Sequence, residues 1–224
     1  MTNFHARLVA RLLVIGALTI LLSGCVSSSG LVEAEISSMP VEYAPLIDGP
    51  HTIAAVDTSD IDPEMLRQRV DYPTGVPIGT IVVDTAARHL YLVQGDGKAM
   101  RYCIGVGKEG LAFAGAAVIK RKAEWPSWRP TKSMIDREPA RYRQFASGMV
   151  GGLTNPLGPH ALYLYQGERD TMFRIHGTTE PETIGGAVSS GCIRLINQDI
   201  VDLYSRVRIG SRVIVIQDGR EFSS

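Results

Sequence analysis

Cysteine is scarce in this chain: Cys25, Cys103 and Cys192 are the three in 224 residues. They are too few and too far apart for a disulfide framework or a Cys-x-x-Cys metal knuckle, so each thiol needs its own explanation. Net charge is lacking as well, with 23 Lys and Arg against 23 Asp and Glu. That excludes the basic field by which proteins are drawn onto nucleic acid. No two of the five histidines stand at i, i+4 with an acid nearby, so neither a zinc site nor another cofactor is expected. No apolar run reaches the roughly 20 residues of a comfortable membrane span. Long helices alternating with strands are missing too, which disfavours a doubly wound α/β fold. With 45% apolar and 21% charged residues, one folded domain plus some irregular chain remains.

The longest apolar run, Leu12 to Leu22, follows Arg7 and Arg11 in a stretch without acids. A basic start, an apolar middle and small residues read as a secretory signal. Leu22-Ser23-Gly24-Cys25 resembles a bacterial lipobox, in which cleavage precedes a cysteine that carries lipid. The expectation is a signal peptide over 1–24 and a lipidated Cys25 as the mature N-terminus. The alternative is an ordinary cleaved signal with an incidental cysteine. Cleavage would remove two arginines and no acids, leaving 21 basic against 23 acidic residues. Lipid, not charge, would then hold the protein to a membrane, in the periplasm and on the inner leaflet of the outer membrane.

Residues 25–78 show no sustained period and are punctuated by Pro40, Pro45, Pro50, Pro63, Pro73 and Pro77. They read as a tether and wrapping segment, with one short helix near Pro63 to Val70 after Asp62. Fully extended, such a segment reaches on the order of 170 Å. Residues 79–217 then carry short β-rich runs, at Thr80 to Val83, His89 to Val93, Ala99 to Val106, Ala117 to Lys122, Ala161 to Tyr165, Thr171 to His176 and Arg212 to Gln217. Asp96-Gly97 signals a hairpin between the second and third. Asn197 to Val207 is the one well-marked helix, with Asn197 as its N-cap and Ile200, Leu203, Tyr204 and Val207 at helical spacing. A C-terminal tail, 218–224, follows. The fold class is mostly β, a β-sandwich-like domain with one docked helix after Cys192. The long connection from Glu124 to Pro159 holds both tryptophans, Trp125 and Trp128. These are read either as substrate-binding residues or as plugs of the sandwich.

The chemistry concentrates in Ile175-His176-Gly177-Thr178 and in Ser189-Ser190-Gly191-Cys192-Ile193-Arg194-Leu195. A thiol is a poor nucleophile until it loses its proton, and a neighbouring imidazole accepts that proton. His176 at a strand end and Cys192 at a strand-to-helix junction converge if the glycine-rich loop between them folds back. Gly191 lets the backbone approach a substrate, and the amides of Gly191 and Cys192 would face a developing oxyanion. With His176 as the only imidazole, a titration near its ordinary value of about 6.5 is expected to control the thiolate.

These words, followed by Asn197-Gln198-Asp199-Ile200 and preceded by Gly105-Val106-Gly107, Trp125-Pro126-Ser127-Trp128 and Asn155-Pro156-Leu157-Gly158, resemble the signature of the L,D-transpeptidase (YkuD) catalytic domain. The resemblance implies a cysteine that attacks peptidoglycan stem peptides at the meso-diaminopimelate carbonyl and expels D-alanine. An amine acceptor, from a second stem peptide or a protein, then resolves the thioester. It implies Cys192 as nucleophile, His176 as general base and the Gly177 carbonyl as the third partner. Ser189 would orient donors, and Arg194 would hold a substrate carboxylate or else pair with the helix acids. Ser190 stands where many members have a second histidine, and Ala114-Gly115 where many have Thr-Pro. Cys103 has no such neighbours and reads as a buried strand thiol. Two rivals stay open: hydrolysis of the same thioester by water, and a wall-binding lipoprotein that holds stem peptides without turnover.

Overall fold

The computed structural model describes residues 40–107, 114–189 and 191–217, with the main chain only at Val188 and Ser189. The expected signal peptide, Cys25, the first part of the tether, Ser190 and the C-terminal tail lie outside the described residues.

In chain order the strands are β1 (Leu46–Asp48), β2 (His51–Ile53), β3 (Gln68–Asp71), β4 (Ile81–Asp84), β5 (His89–Val93), β6 (Lys98–Cys103), β7 (Val106–Gly107) and β8 (Gly115–Glu124). After the long connection come β9 (His160–Gln166), β10 (Arg169–His176), β11 (Ala187–Ser189), β12 (Ile193–Arg194) and β13 (Arg212–Ile216). The connection carries two short helices, α1 (Lys132–Arg137) and α2 (Pro139–Tyr142), and α3 (Asn197–Arg206) lies between β12 and β13.

Nine strands form one mixed sheet in the order β12-β10-β9-β8-β13-β4-β5-β6-β3. The two parallel pairs in it are β10 with β12 and β13 with β4. The hairpin joining β5 to β6 turns at Asp96 and Gly97, whose φ values of 60° and 63° are those a type I′ turn requires at its two central residues. Past β6, Gly105 forms a two-way bridge with Arg194 of β12, Gly105 N donating at 2.9 Å and Arg194 N at 2.8 Å. The far arm of the sheet therefore bonds back to its first strand. That closure explains why Ile81 and Leu90 from one arm and Leu164, Ile175 and Ile193 from the other belong to a single core cluster. The sandwich-like, mostly β class is realised by one sheet covering both sides of its own core.

Helix α3 docks into that core through Ile200 and Leu203, both fully buried, with Val207 one turn further on. Truncating either of the first two to alanine removes buried methyls and costs about 2–5 kcal/mol. The helix begins one residue earlier than the sequence implies: Ile196 is the N-cap, and Asn197 does not cap it. Asn197 Oδ1 instead accepts from the main-chain N–H of Thr178 at 2.9 Å. Its reach across to the loop after β10 outcompetes the local bond.

Residues 40–78, expected to be largely irregular, pack as a strap on the β domain. Asp62 caps a single 3-10 turn, Pro63–Met65, and Gln68–Asp71 pairs with β6 as the edge strand β3. A helix up to Val70 is thus corrected, because backbone groups there gain a sheet partner that local sequence cannot reveal. Tyr43 is buried, its hydroxyl accepting from Arg67 N at 2.7 Å and donating to Asp199 Oδ2 at 3.3 Å. Gln198 donates to the Ala54 carbonyl at 2.8 Å, and the Arg67 guanidinium lies 3.7 Å from Asp199 and 3.5 Å from Asp202. Two polar residues of α3, Gln198 and Asp199, are buried because the strap covers them.

Candidate active site

β10 ends on His176, and β12 runs parallel beside it with Ile175 opposite Ile193 and His176 opposite Arg194. Continuing that register one residue back sets Cys192 beside Arg174, whose main chain hydrogen-bonds the sulfur. Side chains alternate across a strand. Ile175 and Ile193 therefore enter the core, while Arg174, His176, Cys192 and Arg194 share the opposite face. A bulge between Asp170 and Arg174, with Met172 at φ 64°, sets this phase.

His176 is buried, and its Nδ1 lies 2.6 Å from the Gly177 carbonyl oxygen. A carbonyl only accepts, so Nδ1 carries the proton and Nε2 is left as the acceptor of a neutral ring. Burial lowers the His176 pKa to about 4; the Gly177 carbonyl opposes that shift, and Arg194 and Arg174 add to it. The expectation of a titration near 6.5 is thereby corrected: desolvation keeps this imidazole neutral at physiological pH. Burial likewise raises the Cys192 thiol, although part of the residue reaches solvent, and the Arg174 main chain with the Arg174 and Arg194 charges partly offset it. The resting pair is thiol and neutral imidazole. A neutral imidazole of this tautomer offers Nε2 as an acceptor, and the two arginines favour a thiolate over a thiol.

Glycines make this arrangement fit. Gly191, directly before the cysteine, has φ 126°, a value from which side chains are excluded. A Cβ on Gly107 of β7 would stand 2.5 Å from Gly191 Cα, so β7 presses on the turn that carries the thiol. A side chain at Gly177 would collide with Asn197 Oδ1 and with Pro159. Ser189 ends β11 opposite Gly107.

Arg194 is nine-tenths buried, and its Nη1 donates to Glu180 Oε2 at 3.1 Å. The pairing with helix acids considered from the sequence is corrected: those acids serve Arg67 and Arg206, and the partner comes from the loop after His176. Glu180 also accepts from Arg141 of α2 at 3.2 Å. Arg194 Nε and Nη2 are buried with no hydrogen-bond partner among the described residues. Glu180 and Arg174 were not singled out from the sequence, and Asn197 only as a helix cap; the one local signal for Glu180 was the proline after it.

Neither tryptophan plugs the sandwich, since neither belongs to the core cluster. Trp125 donates through Nε1 to the Asp48 carbonyl at 3.2 Å and lies 4.1 Å from the His51 ring, so it docks the strap hairpin. Trp128 packs on Tyr142 and Phe145 within the long connection. Cys103 is buried in β6, its sulfur 3.8 Å from that of Met65 and its pKa pushed up to about 11 by burial. His160 binds Asp48 at 3.0 Å and packs on Tyr204.

The family model of the YkuD L,D-transpeptidase catalytic domain matches residues 78–215. The chain is 32% identical over 162 residues to the probable L,D-transpeptidase ErfK/SrfK of Escherichia coli, covering 71% of this chain and 50% of that protein. It is 36% identical to a putative L,D-transpeptidase of Fuscovulum blasticum, covering 61% of this chain and 68% of that protein. Among solved structures, a Brucella melitensis protein described as a probable carnitine operon oxidoreductase is 52% identical, covering 71% of this chain and 99% of that one, with a TM-score of 0.48. The chain spans about half the length of the Escherichia coli relatives it matches.

Proposed function

The chain belongs to the L,D-transpeptidase catalytic-domain family, and from that membership we propose that it is a cysteine-dependent acyltransferase acting on peptidoglycan stem peptides. The observation that carries the reading is the pairing of β10 with β12, which sets a neutral His176, its Nδ1 bound to Gly177, beside the strand that follows Cys192. In the first half-reaction the Cys192 sulfur attacks the donor carbonyl while His176 Nε2 takes the thiol proton. The amides of Gly191 and Cys192 receive the oxyanion. The imidazolium then gives its proton to the departing D-alanine amine, and the C–N bond breaks to leave a thioester. In the second half-reaction an acceptor amine attacks that thioester, passes a proton to Nε2, and the sulfur leaves and regains it. The product is a 3→3 crosslink or a protein joined to meso-diaminopimelate. Arg194, whose Nε and Nη2 have no hydrogen-bond partner among the described residues, holds a carboxylate of the donor. Ser189 and Ser190 support the donors around the thiol.

The protein is proposed to work in the periplasm, held by lipid on Cys25; a Cys25→Ala variant that is still processed and membrane-bound would overturn the anchor. The activity is tested by incubating the purified protein with disaccharide-tetrapeptides and reading products by mass spectrometry. Crosslinked dimers that vanish in Cys192→Ala and persist in Cys103→Ala are expected. Tripeptides without dimers would assign the hydrolytic alternative. Retention of substrate with no product would assign a wall-binding role.

A further inference from the structure

The end of α3 that faces away from the catalytic loop carries a feature that acyl transfer does not use. A groove of about 640 Å³ runs between the residues leading into β4 and the turn after α3, lined by Ile78, Arg206, Arg208, Ile209 and Arg212. No carboxylate lines it among the described residues. Arg206 is already held by Asp202 through two bonds of 2.8 Å, whereas Arg208 and Arg212 are exposed and have no acid partner among the described residues. Ile78 and Ile209 are 72% and 65% exposed, two of the most exposed large apolar side chains of the protein.

We propose that this groove docks the domain on the anionic face of a phospholipid bilayer. Charge complementarity selects the occupant: planar guanidinium groups match phosphate oxygens, and the isoleucines beside them gain by burial at the boundary of headgroup and acyl chain. A purely aqueous polyanion would use the arginines and leave both isoleucines in water. The geometry gives docking a consequence. Asn197, at the first turn of α3, holds the loop behind His176, and Arg206 ends the same helix. Ten residues of helix separate the two ends, about 15 Å at 1.5 Å per residue. A domain resting on this groove keeps the first turn of α3, and with it the loop behind His176, about one helix length from the docked end. The inference stands on the groove and does not depend on the transpeptidase reading.

The test uses the full chain reconstituted into vesicles of brominated phosphatidylcholine, with or without phosphatidylglycerol. Bromine quenches indole emission at acyl depth. An Ile209→Trp variant should lose at least about half of its added emission in anionic vesicles and keep it in zwitterionic ones. Adding Arg208→Glu and Arg212→Glu should restore it, each arginine shifting the docked-to-undocked ratio about fivefold. Unfolding midpoints in urea, and carbapenem labelling of Cys192, should stay as in the parent. If the double charge reversal does not fold, Arg208→Gln with Arg212→Gln and about 1 M salt provide the same comparison. Equal quenching in both vesicle types, or quenching indifferent to charge and salt, overturns the proposal. Absence of quenching, with the same arginines retaining the chain on purified sacculi, overturns it in favour of a wall polyanion.

Discussion

Two buried groups with opposite pH linkage make a quantitative prediction for Asp199→Asn. His176 has its pKa lowered to about 4 from 6.5, chiefly by burial. The unfolded chain binds a proton in that window that the native state refuses, so stability is fully present above about 6.5 and lost as pH falls toward 4. At about 1.4 kcal/mol per unit the loss is roughly 3 kcal/mol. Asp199 is fully buried, with its pKa raised to about 7 from 3.8 by burial, against the pull of Arg67 and the Tyr43 hydroxyl. Its stabilisation has the other sign: complete below about 3.8 and lost as pH rises to 7, roughly 4 kcal/mol in all. The two oppose each other in the parent, whose stability should change less from pH 4 to 6.5 than that of a variant without the Asp199 titration. Asp199→Asn keeps an acceptor for Tyr43 and removes the titration. Its stability should then climb by about 3 kcal/mol across that window. His89, lowered by burial, adds to the climb in both proteins. Urea unfolding followed by circular dichroism above pH 4 keeps out Asp170 and Asp202, whose pKa values lie below the usual carboxylate value. Parallel profiles for parent and variant would show that Asp199 stays ionised in the folded protein and refute the reasoning.

Three further outcomes are expected. Tyr43→Phe leaves the Arg67 N–H and Asp199 Oδ2 without their shared hydroxyl and should cost about 1–3 kcal/mol; a urea shift equivalent to less than about 0.5 kcal/mol would mean the strap is not held there. Gly107→Ala places a Cβ 2.5 Å from Gly191 Cα, whereas Gly75→Ala meets nothing within 4 Å. Carbapenem acylation of Cys192 should fall by the order of tenfold or more in the first and stay unchanged in the second, and equal rates would refute the close packing. The acylation rate of the wild type should show no inflection near pH 6.5, because His176 remains neutral down to about 4; an inflection there would indicate an imidazolium in the resting enzyme.

The readable parts of the sequence were those whose structure is decided locally. β5 occupies His89–Val93, the run expected, because alternating burial of Leu90 and Leu92 is written into its own residues. Asp96-Gly97 likewise names its turn. What was not readable depends on distant partners. Tyr43 and Asp199 are 156 positions apart, and β1, β2 and β3 have three or four residues each, too few for a period to appear. The pair His176 and Cys192 stood out by residue type, but its charge state followed from burial, which no local pattern encodes. Arg194 stood out too, while its partner Glu180 sits in a loop with no regular spacing.

The first turn of α3 joins the candidate active site to the strap. Asn197 ties the loop after His176, Gln198 ties the strap carbonyl of Ala54, and Asp199 ties Tyr43. Cys192 lies five positions before that turn, with Leu195 bonded to the His176 carbonyl in between. Any force that loosens the strap therefore acts on Gln198 and Asp199, directly beside the Asn197 that fixes the loop after His176. The family match starts at residue 78, yet these contacts begin at Tyr43, and β3 covers the open edge of the sheet at β6. An exposed edge strand invites pairing with other chains. The unit that holds the site in shape accordingly includes the strap, and a chain cut at 78 would expose both a sheet edge and the buried carboxylate of Asp199.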